Sequence, residues 1–353
     1  MSLMDKLIKN STIKQTSPIM DSKVYGKKDM CPTSVPMINV ALSGRVDGGL
    51  SPGLLLIAGP SKHFKSAFTL LMAAAYQKKY DDAVILFYDS EFGTPQSYFE
   101  SFDIDMDRVI HTPITDVEEL KFDITKQLSE LKKEDNVVIV IDSIGNLASK
   151  KEVDDAMSEK SAADMTRAKQ LKSLFRIVTP HLNLKDIPLV CVNHTYKEIG
   201  MFPKDIVSGG TGAYYSASDI WIIGRQQEKD GSEISGYHFV INIEKSRLVR
   251  EKSKIPITVT FEGGINKWSG LFDIALELGY IQKPKVGWYE AIDPETGEVL
   301  TDSLKRAKDL SNSKEFWLTM FEKTNLAEKI KEKYTLSSGT LIESEEQEET
   351  TDQ

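Results

Sequence analysis

Apolar residues occur along the middle of the chain in short, nearly continuous runs that alternate with longer stretches of helical periodicity. The runs are residues 54–58, 83–88, 137–141, 187–192 and 220–223. Runs this apolar predict strands that are covered on both faces, as in a parallel sheet. The stretches 66–77, 117–131 and 158–177 are long and periodic enough for helices. Alternating strands and helices predict an α/β fold with right-handed crossovers.

The pattern changes towards both ends of the chain. Residues 237–243 and 257–261 predict antiparallel strands joined by the basic stretch 245–254. Amphipathic helices are predicted over 271–278 and 314–333 in a smaller C-terminal unit, and over 3–10 at the start. Chain breakers between Pro18 and Pro32 separate the first helix from the rest. We therefore divide the chain into an arm (1–32), a core (33–269), a C-terminal lobe (270–336) and a tail (337–353).

Composition narrows the class of protein. The chain has 353 residues, of which 40% are hydrophobic and 27% charged, a balance that excludes a wholly disordered protein. We expect no association with a membrane, because no apolar run is long enough to span a bilayer. The N-terminus has no secretory signal pattern, and the two cysteines, Cys31 and Cys191, are far apart. These features predict a cytoplasmic protein.

The net charge of −9 argues at first against an anionic partner such as nucleic acid. Six of the acidic residues, however, lie within residues 341–353, which contain no Lys or Arg. The rest of the chain is close to neutral, so a nucleic-acid partner is not excluded. The acidic tail has two interpretations: a solvated tail, or a brake that competes with an anionic ligand for a basic surface.

The strongest chemical signal is the segment Gly59-Pro60-Ser61-Lys62-His63-Phe64-Lys65-Ser66, between a predicted strand and a predicted helix. In phosphate-binding loops of this pattern, backbone N–H groups surround the phosphates, the Lys reaches the outer phosphate oxygens, and the Ser hydroxyl ligates Mg²⁺. Phe64 stands where the usual pattern has Gly. The match alone is weak, and its strand-loop-helix context favours a nucleotide site.

Polar residues closely follow three of the predicted strands. Asp142 follows 137–141, Glu91 comes soon after 83–88, and His194 comes soon after 187–192. Because the carboxyl ends of parallel strands meet at one edge of a sheet, we expect these side chains near the phosphate loop. Asp142 then faces Mg²⁺, Glu91 polarises the attacking water, and His194 contacts the γ-phosphate. Each residue also has an alternative without chemistry. Asp142 is then a turn residue after a core strand, Glu91 a solvated acid at a strand end, and His194 a structural histidine.

Two later segments are candidates for binding a phosphate chain. The glycine cluster 208–212 forms either a flexible turn or a place where backbone N–H groups approach phosphates. Four cationic side chains follow the predicted strand 137–141 and would add positive charge to the same surface as the glycine cluster. They are Lys150, Lys151, Arg167 and Lys169.

Taken together, these segments resemble the RecA-type homologous recombinases, especially the UvsX recombinases of tailed bacteriophages. The similarity extends over residues 36–334 and preserves the order of elements. It is carried by residues 59–66, 87–93, 141–151 and 242–247, and the phage branch also lacks the usual Gly at the position of Phe64. The resemblance implies a RecA-like P-loop ATPase core with a mainly parallel central sheet, an N-terminal polymerisation arm and a small C-terminal α+β lobe.

The resemblance also implies roles for individual residues. Glu91 matches the catalytic carboxylate, and His194 stands at the position of a γ-phosphate-sensing residue. Lys245 and Arg247 match the cationic pair that reaches a nucleotide bound to the neighbouring subunit. Ser66 and Asp142 match the Mg²⁺ ligands. The residues implied in nucleotide binding are Gly59, Pro60, Ser61, Lys62, His63, Phe64, Lys65, Ser66, Ala67, Tyr98 and Asp142, with Tyr98 on the adenine and Pro95 in place of an adenine-contacting acid.

Two loops, residues 150–161 and 195–211, match those that line the DNA channel in this family. The second contains an apolar stretch that resembles the wedge between base triplets, and the glycine-rich segment matches backbone contacts to DNA phosphates. The residues implied in DNA binding are Lys150, Lys151, Arg167, Lys169, Ile199, Gly200, Met201, Phe202, Gly209, Gly210, Thr211 and Gly212.

The function implied is ATP-dependent DNA strand exchange by helical filaments on single-stranded DNA, with ATP and Mg²⁺ as cofactors. It serves recombination, recombination-dependent replication and repair in the cytoplasm of a phage-infected bacterial cell. The partners implied are single-stranded DNA, homologous duplex DNA, further copies of the chain, a recombination mediator and a single-strand-binding protein. Two rivals stay open: a hexameric helicase with the same nucleotide site, and a non-enzymatic scaffold whose ATP site has decayed.

Overall fold

The computed structural model describes residues 1–22, 24–26, 28–158, 165–198, 200, 204–230, 233–261 and 264–337. The predicted DNA-contacting residues Ile199, Met201 and Phe202 lie outside these ranges. So do part of the predicted loop 150–161 and all but the first residue of the predicted tail. Across the described ranges, no helix combines the length and apolar character that crossing a membrane requires.

Thirteen strands occur in the described parts of the chain. They are β1 (Gly53–Ala58), β2 (Val84–Asp89), β3 (Val109–Pro113), β4 (Val137–Asp142), β5 (Pro188–Asn193), β6 (Thr195–Lys197), β7 (Asp205–Val207), β8 (Asp219–Asp230), β9 (Glu233–Lys245), β10 (Lys254–Thr260), β11 (Gly264–Ile265), β12 (Ile281–Lys285) and β13 (Trp288–Ala291).

Twelve α-helices accompany them in the same ranges. They are α1 (Leu3–Asn10), α2 (Pro36–Ser43), α3 (Lys65–Lys79), α4 (Gln96–Ser101), α5 (Val117–Glu130), α6 (Lys150–Met157), α7 (Thr166–Lys185), α8 (Thr211–Ser216), α9 (Leu271–Glu277), α10 (Ala307–Asn312), α11 (Lys314–Lys323) and α12 (Leu326–Tyr334).

Nine of the strands form one sheet in the order β11-β10-β9-β8-β1-β5-β4-β2-β3. The six strands from β8 to β3 are parallel, which confirms the predicted parallel sheet. Strands β9, β10 and β11 extend it antiparallel, as predicted for 237–243 and 257–261. The edge strand β3 was not predicted, because its residues are all exposed or half-buried and form no long apolar run.

The central strands are buried on both faces, which explains their continuous apolar sequences. In β1, Leu55 and Ile57 join one hydrophobic cluster, whereas Leu54 and Leu56 join the other. Helix α3 covers the first face, and α5 and α7 cover the second. This alternation follows from the two-residue period of a strand.

The predicted helix over 158–177 is wrong at both ends. Ser158 lies at the C-terminus of α6, and the following helix α7 begins at Thr166 and continues to Lys185. It continues past residue 177 because Val178 and Leu182 extend the buried stripe of the helix, while Pro180 lies on its exposed side.

The C-terminal lobe combines helices with the β12–β13 hairpin. The single helix predicted over 314–333 is two helices, α11 and α12. Thr324 separates them, because its hydroxyl donates to the Met320 carbonyl (2.6 Å) and accepts from the Leu326 amide (3.2 Å). Such local hydrogen bonds compete with the helical pattern. Trp317, on α11, is fully buried in the same hydrophobic cluster as the core.

Candidate active site

The predicted phosphate-binding loop connects β1 to α3, in the expected strand-loop-helix arrangement. Lys65 and Ser66 are the first two residues of α3, so backbone N–H groups at the start of this helix face the loop. Lys65 is buried, and its Nζ donates to the Pro60 carbonyl at 2.8 Å. Burial lowers the pKa of Lys65, while the nearby carboxylates of Glu91 and Asp142 act in the opposite direction. A buried ammonium beside helix N–H groups is suited to an anionic ligand.

Phe64 adopts the left-handed backbone conformation with φ +60°, a conformation that favours glycine. Its ring stacks on Phe239 of β9 with centroids 5.3 Å apart, and it meets Phe68 of α3 edge-on at 5.6 Å. These contacts attach the loop to β9 and α3. They give a structural explanation for an aromatic residue at a position where other loops of this pattern have Gly.

Asp142 ends β4 and is almost completely buried. Burial raises its pKa to about 6, against a hydrogen bond from Ser66 that lowers it. Its Oδ1 is buried without a hydrogen-bond partner among the described residues. An unpartnered buried carboxylate oxygen beside a Ser hydroxyl fits a Mg²⁺ site, since Mg²⁺ takes one or two protein ligands together with phosphate oxygens and water.

Glu91 follows β2 and is held by two side chains from other strand ends. Its Oε1 accepts from Ser143 Oγ at 2.5 Å and lies 2.9 Å from His194 Nε2. The hydrogen bond from His194 is the main cause that lowers the pKa of Glu91 to about 2, and Ser143 contributes further. Glu91 is therefore ionised at neutral pH, as a residue that orients and polarises water requires.

These groups line one cavity of about 350 Å³ at the carboxyl edge of the parallel strands. Among the described residues its lining comprises Ser61, Lys62, His63, Phe64, Lys65, Ser66, Ala67, Glu91, Gly93, Thr94, Pro95, Tyr98, Asp142, Val192 and His194. Gly59 and Pro60 lie at the base of the loop, directly after β1. The structure thus brings the predicted phosphate, carboxylate and adenine-side residues together.

Lys245 and Arg247 do not line this cavity of their own chain. Lys245, at the end of β9, donates to the carbonyls of Tyr214 (2.9 Å) and Ala217 (2.8 Å) at the C-terminus of α8. Arg247 is exposed. That both residues act on a nucleotide held by a neighbouring subunit stays a prediction.

The predicted DNA-binding residues that the structure describes, apart from Gly200, lie on or beside α6, α7 and α8. Gly210 is the N-cap of α8, which begins at Thr211, and Gly209 precedes it. Lys169 is exposed on α7, and Lys150 and Lys151 begin α6, where Lys151 pairs with Asp155. Arg167 is different, because its guanidinium binds backbone carbonyls of the segment after β4.

Gly212 has a packing reason of its own. A Cβ at Gly212 would lie 2.5 Å from the Cα of Lys172, so α8 and α7 approach each other too closely there for any side chain.

Sequence reasoning missed several residues that shape the site. Asp89 accepts the backbone N–H groups of Glu91 (3.0 Å) and Phe92 (2.8 Å) and so fixes the loop that carries the catalytic candidate. Arg225 of β8 donates to the carbonyl of Lys62 in the phosphate loop. Ser143 could have been found as the polar residue directly after Asp142. Asp89 has the same kind of signal, because it directly follows the predicted strand 83–88, whereas Arg225 has none.

Comparison with protein families divides the chain at residue 267. Residues 14–266 match the family model described as the RecA N-terminal domain. Residues 268–330 match the model described as the C-terminal domain of the bacteriophage T4 recombination and repair protein.

Individual relatives agree with these matches. The chain is 50% identical over 349 residues to the "Recombination and repair protein" of Enterobacteria phage T4, covering 97% of this chain and 89% of that relative. It is 26% identical to "Protein RecA" of Bacteroides thetaiotaomicron, covering 84% of this chain and 87% of the relative. For "Protein RecA" of Streptomyces ambofaciens the identity is 25%, with coverages of 80% and 75%.

Proposed function

The chain belongs to the RecA family, and from that premise we propose that it is an ATP-dependent recombinase that exchanges strands between single-stranded and homologous duplex DNA. The observation that carries the proposal is the cavity in which Lys65, Asp142 and Glu91 converge. It has the phosphate-binding, metal-binding and water-orienting groups that phosphoryl transfer to water needs. We further propose that hydrolysis depends on DNA and that the cofactors are ATP and Mg²⁺.

The residues of the cavity divide the work of hydrolysis. Bound Mg·ATP supplies the phosphoanhydride bond and a metal charge that offsets the charge developing on the phosphates. The N–H groups at the start of α3 and the Lys65 ammonium hold the phosphates, with Ser66 and Asp142 as the metal ligands. Glu91, kept ionised by His194 and Ser143, orients a water molecule and accepts its proton. Tyr98 and Pro95 lie on the adenine side.

Filament formation follows if the nucleotide lies between subunits. Lys245 and Arg247 of one protomer then reach the γ-phosphate held by the next, so ATP favours the assembled state. A cation supplied in this way is worth about 10³–10⁵ in turnover. We expect isolated subunits to hydrolyse ATP very slowly and DNA to raise turnover by assembling them. The arm, including the exposed apolar residues of α1, is proposed to pack on the adjacent protomer.

A fluorescence strand-transfer assay tests the proposal. Single-stranded DNA is coated with the protein in the presence of ATP and Mg²⁺, and release of a labelled strand from homologous and heterologous duplexes is compared. We expect transfer that requires both homology and ATP, and Glu91→Gln, which retains ATP-dependent DNA binding, should not turn over ATP. The Glu100→Gln variant changes an exposed glutamate and serves as the matched control.

Two results would contradict the proposal. Strand separation without homology would indicate the helicase alternative, and DNA binding without ATP turnover under any DNA condition would indicate the scaffold. The assay is run with and without a single-strand-binding protein and a mediator, since we propose both as partners in a phage-infected bacterial cytoplasm.

A further inference from the structure

Arg167 donates three hydrogen bonds to main-chain carbonyls of a neighbouring loop. Its Nε donates to the carbonyl of Leu147 at 2.6 Å, and its Nη2 donates to the carbonyls of Ile144 (2.8 Å) and Gly145 (2.9 Å). Arg167 is the second residue of α7, whereas the three carbonyls belong to the segment directly after β4. One side chain therefore fixes residues 144–147, which we call the β4 loop, to the start of α7.

The other side of the β4 loop faces the groups that hold Glu91. Ser143, which precedes the loop, donates to Glu91 at 2.5 Å. The amide of Ile144 donates to the Val192 carbonyl at 3.0 Å. A Cβ placed on Gly145 would lie 2.2 Å from Cδ2 of His194, so the imidazole rests directly on the backbone of this glycine. Both partners of Glu91 are thus in contact with the segment that Arg167 fixes.

These contacts make Arg167 a poor candidate for a DNA phosphate. A bidentate grip on a phosphate through Nε and Nη2 would release several of these carbonyls, and each would be left without its charged donor. Arg167 is also half-buried, and burial lowers its pKa, with Glu152 acting in the opposite direction. Lys169, two residues further, is exposed and has the access that a phosphate contact needs.

We propose that Arg167 is a positioning residue for ATP hydrolysis: it holds the β4 loop so that Ser143 and His194 keep Glu91 aimed at the attacking water. This inference rests on the proposed ATPase function. It predicts that Arg167 acts on turnover and leaves nucleotide binding intact, because the phosphate loop itself has no contact with Arg167 among those described.

The test compares three variants of the full chain. Arg167→Ala removes the guanidinium. Arg167→Lys keeps the charge but offers a single ammonium in place of a planar fork that spans three carbonyls. Arg176→Ala is the matched control, since Arg176 is an exposed arginine nine residues further along the same helix, about 13 Å along its axis. The kcat and KM for ATP are measured with saturating single-stranded DNA.

We expect kcat to fall about 10²-fold in Arg167→Ala, the size of effect that a small misplacement of catalytic groups produces. The KM for ATP should be unchanged, Arg167→Lys should not restore kcat, and Arg176→Ala should match the original protein. Full restoration by lysine, or a KM that rises in step with the loss of kcat, would overturn the proposal.

A second measurement separates positioning from DNA binding. With a slowly hydrolysed ATP analogue, Arg167→Ala should bind single-stranded DNA with unchanged affinity and an unchanged salt dependence. A contact to a phosphate would instead lower the slope of log K against log salt by about 1, and that result would overturn the inference.

A third measurement needs no enzymatic activity. Hydrogen–deuterium exchange of the peptide covering residues 143–148 should be faster in Arg167→Ala than in the original protein or in Arg176→Ala, without DNA or nucleotide. If the original protein shows no DNA-dependent turnover, the proposed function fails, and the exchange experiment still decides whether Arg167 fixes the β4 loop. Unchanged exchange would remove Arg167 from this role.

Discussion

At the scale of single residues, Phe64 combines an unfavourable backbone conformation with favourable side-chain contacts. A left-handed conformation costs a non-glycine residue about 1–2 kcal/mol, and each aromatic pair contributes about 0.5–1.5 kcal/mol beyond its buried area. The two effects are similar in size, so the stacking on Phe239 and the edge contact with Phe68 offset the strain.

This balance predicts an unusual order of stability for substitutions at Phe64. Phe64→Ala loses the aromatic contacts and keeps the strain, whereas Phe64→Gly loses the same contacts and relieves the strain. We expect the glycine variant to be more stable than the alanine variant by about 1 kcal/mol in urea unfolding, with both below the original protein. Equal stability of the two variants would show that the loop relaxes on substitution. Nucleotide affinity should be retained in Phe64→Gly.

Asp142 predicts a pH-dependent stability of the protein without Mg²⁺ and nucleotide. Its folded-state pKa of about 6 lies above its ordinary value of about 3.9. The protonated form is therefore favoured by folding, and this contribution is present below about pH 4 and is lost as the pH rises through 6. The Asp142→Asn variant has no ionisable group at this position, so it does not lose this stability as the pH rises.

We therefore expect Asp142→Asn to exceed the original protein in free energy of unfolding at pH 7.5 by about 3 kcal/mol, from two pKa units. The two proteins should converge at pH 4. Urea unfolding across this range measures the difference, and the exposed Asp273→Asn serves as the control. A constant difference at all pH values would mean that Asp142 titrates normally. Adding Mg·ATP should stabilise the original protein and not the variant.

How far the site could be predicted depends on the range of the interactions involved. Lys65, Asp142 and Glu91 could be predicted because each lies in or shortly after a strand or loop with a clear local pattern. The cluster of Phe64 with Phe239 could not be found, since the two residues are 175 positions apart and their pairing depends on the order of strands in the sheet. Arg167 was assigned from its charge, and only the structure shows its carbonyl partners.

At the scale of elements, the close approach of α8 to α7 places the backbone of Gly209 and Gly210 against α7, the helix that carries Arg167 in its first turn. The orientation of α8 is fixed from two directions. Gly212 permits contact with Lys172, and Lys245 donates to the carbonyls at the other end of the helix. Cationic side chains at a helix C-terminus also interact favourably with its dipole.

Gly212→Ala should displace α8, because the new methyl group meets backbone atoms 2.5 Å away that cannot rotate aside. We expect a loss of about 1–3 kcal/mol in stability from overpacking, and weaker single-stranded DNA binding with nucleotide affinity retained. Filter binding and a fluorescent ATP analogue measure the two affinities. Gly26→Ala is the matched control, since a Cβ there meets no described atom within 4 Å. Unchanged DNA affinity would show that α8 is not part of the DNA-binding surface.

Elements were predicted where burial alone determines the pattern. The strands β1, β4 and β5 are apolar on both faces, so their sequences identify them without any context. The edge strand β3 and the break at Thr324 depend on weaker signals: exposed backbone pairing in one case and a side-chain hydrogen bond in the other. Strand β3 can be recognised only once its pairing with β2 is known. The residues around Thr324 have the composition of a helix interior, so the break is not visible in the sequence.

At the scale of the whole molecule, the proposed mechanism divides the catalytic groups between copies of the chain. Glu91 lines the cavity of its own chain, whereas Arg247 is exposed and does not line it. In a filament with one kind of repeating interface, every site then combines the Glu91 of one protomer with the Arg247 of the next. Two variants that are each inactive can therefore supply a complete site between them.

Mixing Glu91→Gln with Arg247→Ala tests this division directly. Each variant alone should lack DNA-dependent ATP turnover, because every interface has one defective component. In equimolar mixed filaments about a quarter of the interfaces combine an intact Glu91 with an intact Arg247, so about a quarter of the original turnover should return. The double variant Glu91→Gln/Arg247→Ala, mixed with either single variant, should restore none. If equimolar mixtures stay inactive while both variants enter the same filaments, Arg247 acts within its own chain or on assembly alone.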